Sequence, residues 1–170
     1  GQDTDNAIRQ YKFDRASKDT IFEFKNRVLV HFAVDLYNVF MTTRLQGANT
    51  YFLPFNQGSN GSGNVGGKGN PQNPDGYQTA YLWEKVLAKD SLLEILHKYM
   101  HLQIEVKEDK NGNKTRKETM IFPRYHQLDV VTRLLADVKA NEKAIVYWCL
   151  QYGEHVELIS PKPIREQIKS

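Results

Sequence analysis

The chain has 170 residues, room for one modest core or parts of two. Hydrophobic residues make up 40 % and charged residues 25 %, which is ordinary for a soluble globular protein. The net charge of +3 permits contact with nucleic acid but is weaker than that of a dedicated DNA-binding domain. The one cysteine, Cys149, excludes an internal disulfide and a cysteine-rich metal site, and fits a reducing cytoplasm. No apolar run approaches the ~20 residues that span a bilayer. The chain opens on Gly1 without Met or an apolar leader, so a processed, tagged or excised product is expected.

In chain order, residues 4–13 read as a short helix capped by Thr4 or Asp5, with Ile8 and Tyr11 on one face. Residues 21–24 are short and apolar. Residues 28–34 and 39–45, rich in β-branched and aromatic side chains, read as two antiparallel strands joined by a tight turn at 35–38. Residues 57–76 are Gly, Asn, Ser and Pro almost throughout, a composition predicting a mobile loop or linker and marking the clearest boundary. Beyond it Leu82, Trp83, Val86 and Leu87 form an apolar helical stripe. Ser91 and Glu94 make a capping box before Leu92, Leu93, Leu96, Tyr99 and Met100. A lysine-rich hairpin pairs residues 103–108 with 115–122 around Asn111 and Gly112. A strong helix then runs from Pro123 to about Asn141, burying Leu128, Val131, Leu134, Leu135 and Val138. Residues 142–170 read as helix, short strand (156–159) and last helix.

Three patterns carry potential chemistry. Gly61, Gly63 and Gly66 match the spacing of a dinucleotide-binding fingerprint, but no strand precedes them and no helix follows, and Gly69 after Lys68 stands where a phosphate loop needs Ser or Thr; a flexible loop is expected. Glu23 and Lys25, with Asp19 nearby, resemble the acidic-x-Lys signature of metal-dependent nucleases, against which stands a solvent-facing Glu and Lys on an edge strand. Arg124 and Gln127 share a face of the first turn of the strong helix, where a Gln amide could both donate to and accept from one edge of adenine. Alone, that pair reads as a polar first helical turn. His31, His97, His101, His126 and His155 lack metal-ligand spacing and read as surface or satisfied residues, and Tyr147 and Trp148 as core.

Six blocks, in order, change the weighing: residues 7–11 (AIRQY), 29–35 (LVHFAVD), 41–45 (MTTRL), 51–56 (YFLPFN), 76–84 (GYQTAYLWE) and 121–129 (IFPRYHQLD). Together they resemble the restriction (R) subunit of type I restriction–modification enzymes, over roughly residues 1–141. That resemblance implies a PD-(D/E)xK nuclease domain followed by an ATP-driven DNA-translocating motor, acting with methyltransferase and specificity subunits on DNA. The family's own Glu-x-Lys would precede Gly1, placing Glu23 and Lys25 after the true motif. Ala7 stands where some members carry the Gln of a Gln-x-x-x-Tyr element with Tyr11. The block from Arg124 to Gln127 corresponds to the adenine-reading motif that opens the motor. The Gly-Lys-Ser phosphate loop that should follow is absent, so ATP and Mg²⁺, cofactors of the full family, are not expected for this chain alone. Residues 144–170 are similar to the C-terminal end of WYL-domain regulators, placing a seam near Glu142.

The expected fold is therefore α+β: residues 1–56 the end of a nuclease-like domain, 57–77 a Gly-rich connector, 78–141 a lead-in to the motor, and 142–170 a WYL-like tail. The expected function is a cytoplasmic R-subunit fragment without catalytic or metal-binding residues, with Arg124 and Gln127 as its nucleotide contacts. The alternatives are a DNA- or partner-binding regulatory module and a small nuclease using Asp19, Glu23 and Lys25.

Overall fold

A computed structural model describes residues 3–108 and 112–140. The tail expectations at 142–170, including Tyr147, Trp148, Cys149 and His155, lie outside the described residues, as does Asn111 of the hairpin turn. The architecture is α+β, with two small antiparallel sheets and short helices. Contacts divide the chain into one unit over Gly1–Gln127 and a second over Leu128–Ser170.

The first unit opens with α1 (Thr4–Arg9), which widens into a π-helical turn at Gln10–Asp14. Its cap is Asp3, whose carboxylate accepts from the Asn6 N–H at 2.9 Å, one residue before the expected Thr4. Thr4 instead has its N–H committed to the Asp35 carboxylate at 3.0 Å. A 3-10 turn at Thr20–Phe22 occupies the short apolar stretch. The expected strand pair is present but shorter: β1 (His31–Val34) and β2 (Val39–Thr42), in register from His31–Thr42 to Val34–Val39. A two-residue strand, β3 (Leu53–Pro54), adds to the far edge of β2.

The period-2 alternation of β1 sends its side chains to opposite faces. Ala33 packs with Leu45 and Phe52 on one side, under Ala7, Ile8 and Tyr11 of the first helix. His31 lies on that face too, buried, with its ring edge-on to Tyr11 at 5.5 Å and tilted against Phe22 at 5.7 Å. Phe32 belongs to a different cluster. It meets Phe55 at 5.5 Å and Phe122 at 5.9 Å, while Tyr125 stands edge-on to Phe55 at 5.8 Å and to Tyr81 at 4.9 Å. Each such pair contributes about 0.5–1.5 kcal/mol beyond area burial. Residues from before and after the Gly-rich stretch thus share one core.

The Gly-rich stretch is fastened rather than loose. Gly58 N–H donates to the Gly69 carbonyl at 2.8 Å, and Ser59 N–H to the Gly67 carbonyl at 3.0 Å. Gly66 is close enough to its neighbours that a Cβ there would meet Ser59 Oγ at 2.9 Å and the Asn60 nitrogen at 3.1 Å. Residues 57–76 fall wholly inside the first unit. Composition measures apolar burial and does not register these hydrogen bonds.

After it come a π-helical turn (Leu82–Val86), α2 (Lys89–Glu94) and a second π turn (Ile95–Tyr99). The Ser91–Glu94 capping box does not form: Ala88 holds the cap position without a side-chain bond, and Glu94 pairs with Lys98 at 2.6 Å. Like the first helix, these two segments close with bonds five residues back, from Leu87 to Leu82 and from Met100 to Ile95. The hairpin follows as β4 (His101–Glu108) and β5 (Lys114–Ile121), in register from His101–Ile121 to Glu108–Lys114. Its last described helix, α3 (Tyr125–Ala140), starts two residues after Pro123 rather than at it. Leu134 and Leu135, expected on its buried face, are exposed. Among the described residues no helix is long and apolar enough to cross a membrane.

Two groups make the stability acid-sensitive. Burial holds the His31 imidazole below the ordinary histidine value of 6.5. Burial would raise the Asp35 carboxyl, but the N–H groups of Tyr37, Asn38 and Thr4 outweigh it and hold the group below the usual 3.8. Both folded values are depressed, so both contributions are complete above the unfolded values and are lost as pH falls through the folded ones. Urea midpoints should therefore drop in two stages, the first starting near pH 6.5 and the second near pH 4. His31→Phe should remove the first stage and leave the second.

Candidate functional site

The turn between β1 and β2 determines where the site lies. Asp35 accepts from the N–H of Tyr37 and of Asn38, both at 2.7 Å, which shapes residues 35–38. Three asparagines then tie the turn to the loop after β3. Asn56 Oδ1 accepts from the Val39 N–H at 2.7 Å, and Asn56 Nδ2 donates to Asn38 Oδ1 at 3.0 Å. Asn70 is buried and fully used: its Nδ2 donates to the Tyr37 carbonyl at 2.8 Å and to Asn56 Oδ1 at 3.0 Å, and its Oδ1 accepts from the Gln57 N–H at 2.8 Å. Tyr81 seals the other side. Its hydroxyl donates to the Phe55 carbonyl at 2.8 Å, and burial, reinforced by neighbouring Tyr125, pushes it far above the ordinary tyrosine value, so it stays a donor at neutral pH.

Against this network lies a cavity of about 500 Å³. Phe40 and Pro54 give it apolar wall, Asn38, Asn56 and Gln57 border it with amides, and Gly58, Gly67, Lys68 and Gly69 come from the loop. Arg124 and His126 come from the entry to α3. Three basic side chains and no carboxylate line it. Arg124 stands out in the sequence, whereas Lys68 reads as part of a loop and His126 as a surface or satisfied residue. A lysine between two glycines is the only local signal for Lys68, and nothing in the sequence placed it beside residue 124.

Gln127 is exposed and does not line this cavity. Its Oε1 accepts from the Arg124 backbone N–H at 3.0 Å, the reach-back bond of a side chain in the third helical position to the residue before the helix. One lone pair of Oε1 is thus engaged, leaving the second lone pair and the amide N–H groups for an adenine edge. A polar helix start and a base-reading amide are compatible in this side chain.

Asp19, Glu23 and Lys25 do not converge as a nuclease site needs. Lys25 lies in a turn with φ +60° rather than on a strand, and its ammonium sits 2.5 Å from Glu118 of β5. Lys25 and Arg116 hold the Glu118 carboxyl below the usual range. Glu23 accepts from the Asn26 amide at 2.7 Å. Asp19 and Glu23 border a shallow cavity with Arg44, and among the described residues no three His, Cys, Asp or Glu side chains group as metal ligands. In comparisons with known proteins, no family model, no curated protein and no solved structure matches the chain.

The cap bond gives Gln127 a measurable structural role. Gln127→Ala should lower stability by about 0.5–1 kcal/mol, whereas Gln127→Glu, which keeps the accepting oxygen, should stay within about 0.3 kcal/mol of the parent in urea titrations at pH 7.

Proposed function

We propose that the chain is an internal piece of the R subunit of a type I restriction–modification enzyme, carrying the junction between nuclease and motor without the catalytic residues of either. The observation that carries this reading is the ordered set of six blocks. Its structural support is that residues from five of them, Asp35, Met41, Phe55, Tyr81 and Tyr125 among them, interlock in the first unit through the bonds and ring contacts above. In this reading residues 1–56 are the end of a nuclease domain and residues 78–141 lead into the motor. Arg124 and Gln127 then contribute to adenine reading once a phosphate loop supplied by the rest of the motor holds ATP and Mg²⁺. DNA and the methyltransferase and specificity subunits are the partners of the whole cytoplasmic assembly, and the tail at 142–170 is a WYL-like appendage.

A DNA-binding role for the hairpin has less support. Residues 101–122 carry five Lys or Arg and four Asp or Glu, a net of only +1. Two of those cations already face carboxylates, Lys114 at Glu108 and Arg116 at Glu118. Such exposed pairs are worth at most about 1 kcal/mol each, yet they leave little free field for phosphates.

A plasmid-nicking assay with Mg²⁺ and ATP tests the proposal. The chain and its Glu23→Ala variant should be equally inactive. Cleavage that disappears in Glu23→Ala would overturn it in favour of a small nuclease.

A further inference from the structure

We propose that the cavity between the Gly-rich loop and the entry to α3 binds a phosphoryl-bearing ligand through Lys68, Arg124 and His126. This assignment stands on the cavity; of the two proposed adenine contacts, Arg124 lines it and Gln127 does not.

Folding brings together basic side chains 56 positions apart in the chain, Lys68 and Arg124, with His126 beside them, around one space of about 500 Å³. Among the described residues none of the three forms a side-chain ion pair, whereas Lys25, Lys114 and Arg116 do. Lys68 and Arg124 are exposed cations bordering one space with no carboxylate lining it, and an anion placed between them relieves their mutual repulsion. A guanidinium and an ammonium are the two groups best matched to phosphate oxygens, the first by its planar fork and the second as a point charge.

The wall is shaped in advance. The cross-loop bonds from Gly58 to Gly69 and from Ser59 to Gly67 fix the hairpin-like base of the loop, and Asn70, buried and bonded on both ends of its amide, anchors the residue next to Gly69. The backbone of Lys68 is thus held on a fixed support, so binding needs to order its side chain and not the loop. Gly67 and Gly69 flank it without side chains to obstruct a ligand. Gly69 has φ +99°, a conformation that other residues adopt only with strain. A cavity of this size lies in the range of small-molecule sites and exceeds what a bare phosphate fills. The remaining wall, Phe40 and Pro54 with amides of Asn38, Asn56 and Gln57 at the border, suits an apolar or planar group attached to the phosphoryl. Such a ligand is either a free nucleotide or a phosphodiester stretch of nucleic acid.

The test uses the full chain labelled with ¹⁵N and titrated separately with inorganic pyrophosphate, ATP and a short DNA duplex. The same titrations are run on Lys68→Glu, Arg124→Glu and, as a charge control, Lys114→Glu on the hairpin. At least one probe should shift the Gly58 and Gly69 amides saturably, and either of the first two reversals should weaken binding by about tenfold or more while the control leaves it unchanged. Tighter binding of ATP assigns the phosphoryl to a free nucleotide, and tighter binding of the duplex assigns it to a nucleic-acid backbone. Lys68→Gln and Arg124→Gln replace any glutamate variant whose amide spectrum shows unfolding. The proposal is overturned if no probe shifts those amides, or if reversal at Lys68 or Arg124 weakens binding no more than reversal at Lys114.

Discussion

The first unit depends on satisfying one turn. Residues 35–38 lie where three distant segments meet; Leu36 and Tyr37 are exposed, but the backbone groups that face those segments are partly buried and need partners. Asp35 supplies most of them: its carboxylate takes the N–H groups of Thr4, Tyr37 and Asn38, and its carbonyl accepts the Thr79 hydroxyl at 2.8 Å. Asn70 supplies the rest by capping the Tyr37 carbonyl. The helix that opens the chain, the Gly-rich loop and the segment before Leu82 are therefore all fastened to the same four residues. The aromatic cluster of Phe32, Phe55, Tyr81, Phe122 and Tyr125 packs on the sheet that this turn creates.

This arrangement gives the cavity its position. The asparagine network holds β2, β3 and the loop together, and the aromatic cluster brings Tyr125, with Arg124 and His126 on either side, up against them. A side chain that reads as loop in the sequence, Lys68, becomes the neighbour of one that reads as the start of a helix. If the chain is the nuclease–motor junction proposed above, the same interlock makes that junction a packed body rather than a tether.

Elements with strong local signals were legible in the sequence. The β1–β2 pair, the β4–β5 hairpin and α3 all followed from alternation or 3.6-residue periodicity, although their ends moved by several residues. The caps of α1 and α2 also differ: Asp3 caps α1, with Thr4 N–H bonded to Asp35, and Glu94 pairs with Lys98 while Ala88 holds the cap position of α2. The two residues of β3 are too few to show a period. What composition misjudged was residues 57–76, because their order comes from asparagine side chains bonded to residues up to 33 positions away. The site was half legible. Arg124 stands out by helical spacing, Gln127 beside it does not line the cavity, and Lys68 and His126 acquire meaning only from tertiary contact.

Amide hydrogen exchange on the full chain and on Asn70→Ala tests most directly whether this turn holds the first unit together. Thr4, Val39, Gln57 and Gly58 bond to the turn, to its asparagines or within the loop they anchor. In the parent they should exchange with similar opening free energies, and Asn70→Ala should lower all of them together, by about 1–3 kcal/mol. Faster exchange confined to Gln57 and Gly58, with Thr4 and Val39 unchanged, would contradict the account and make the loop an independent appendage.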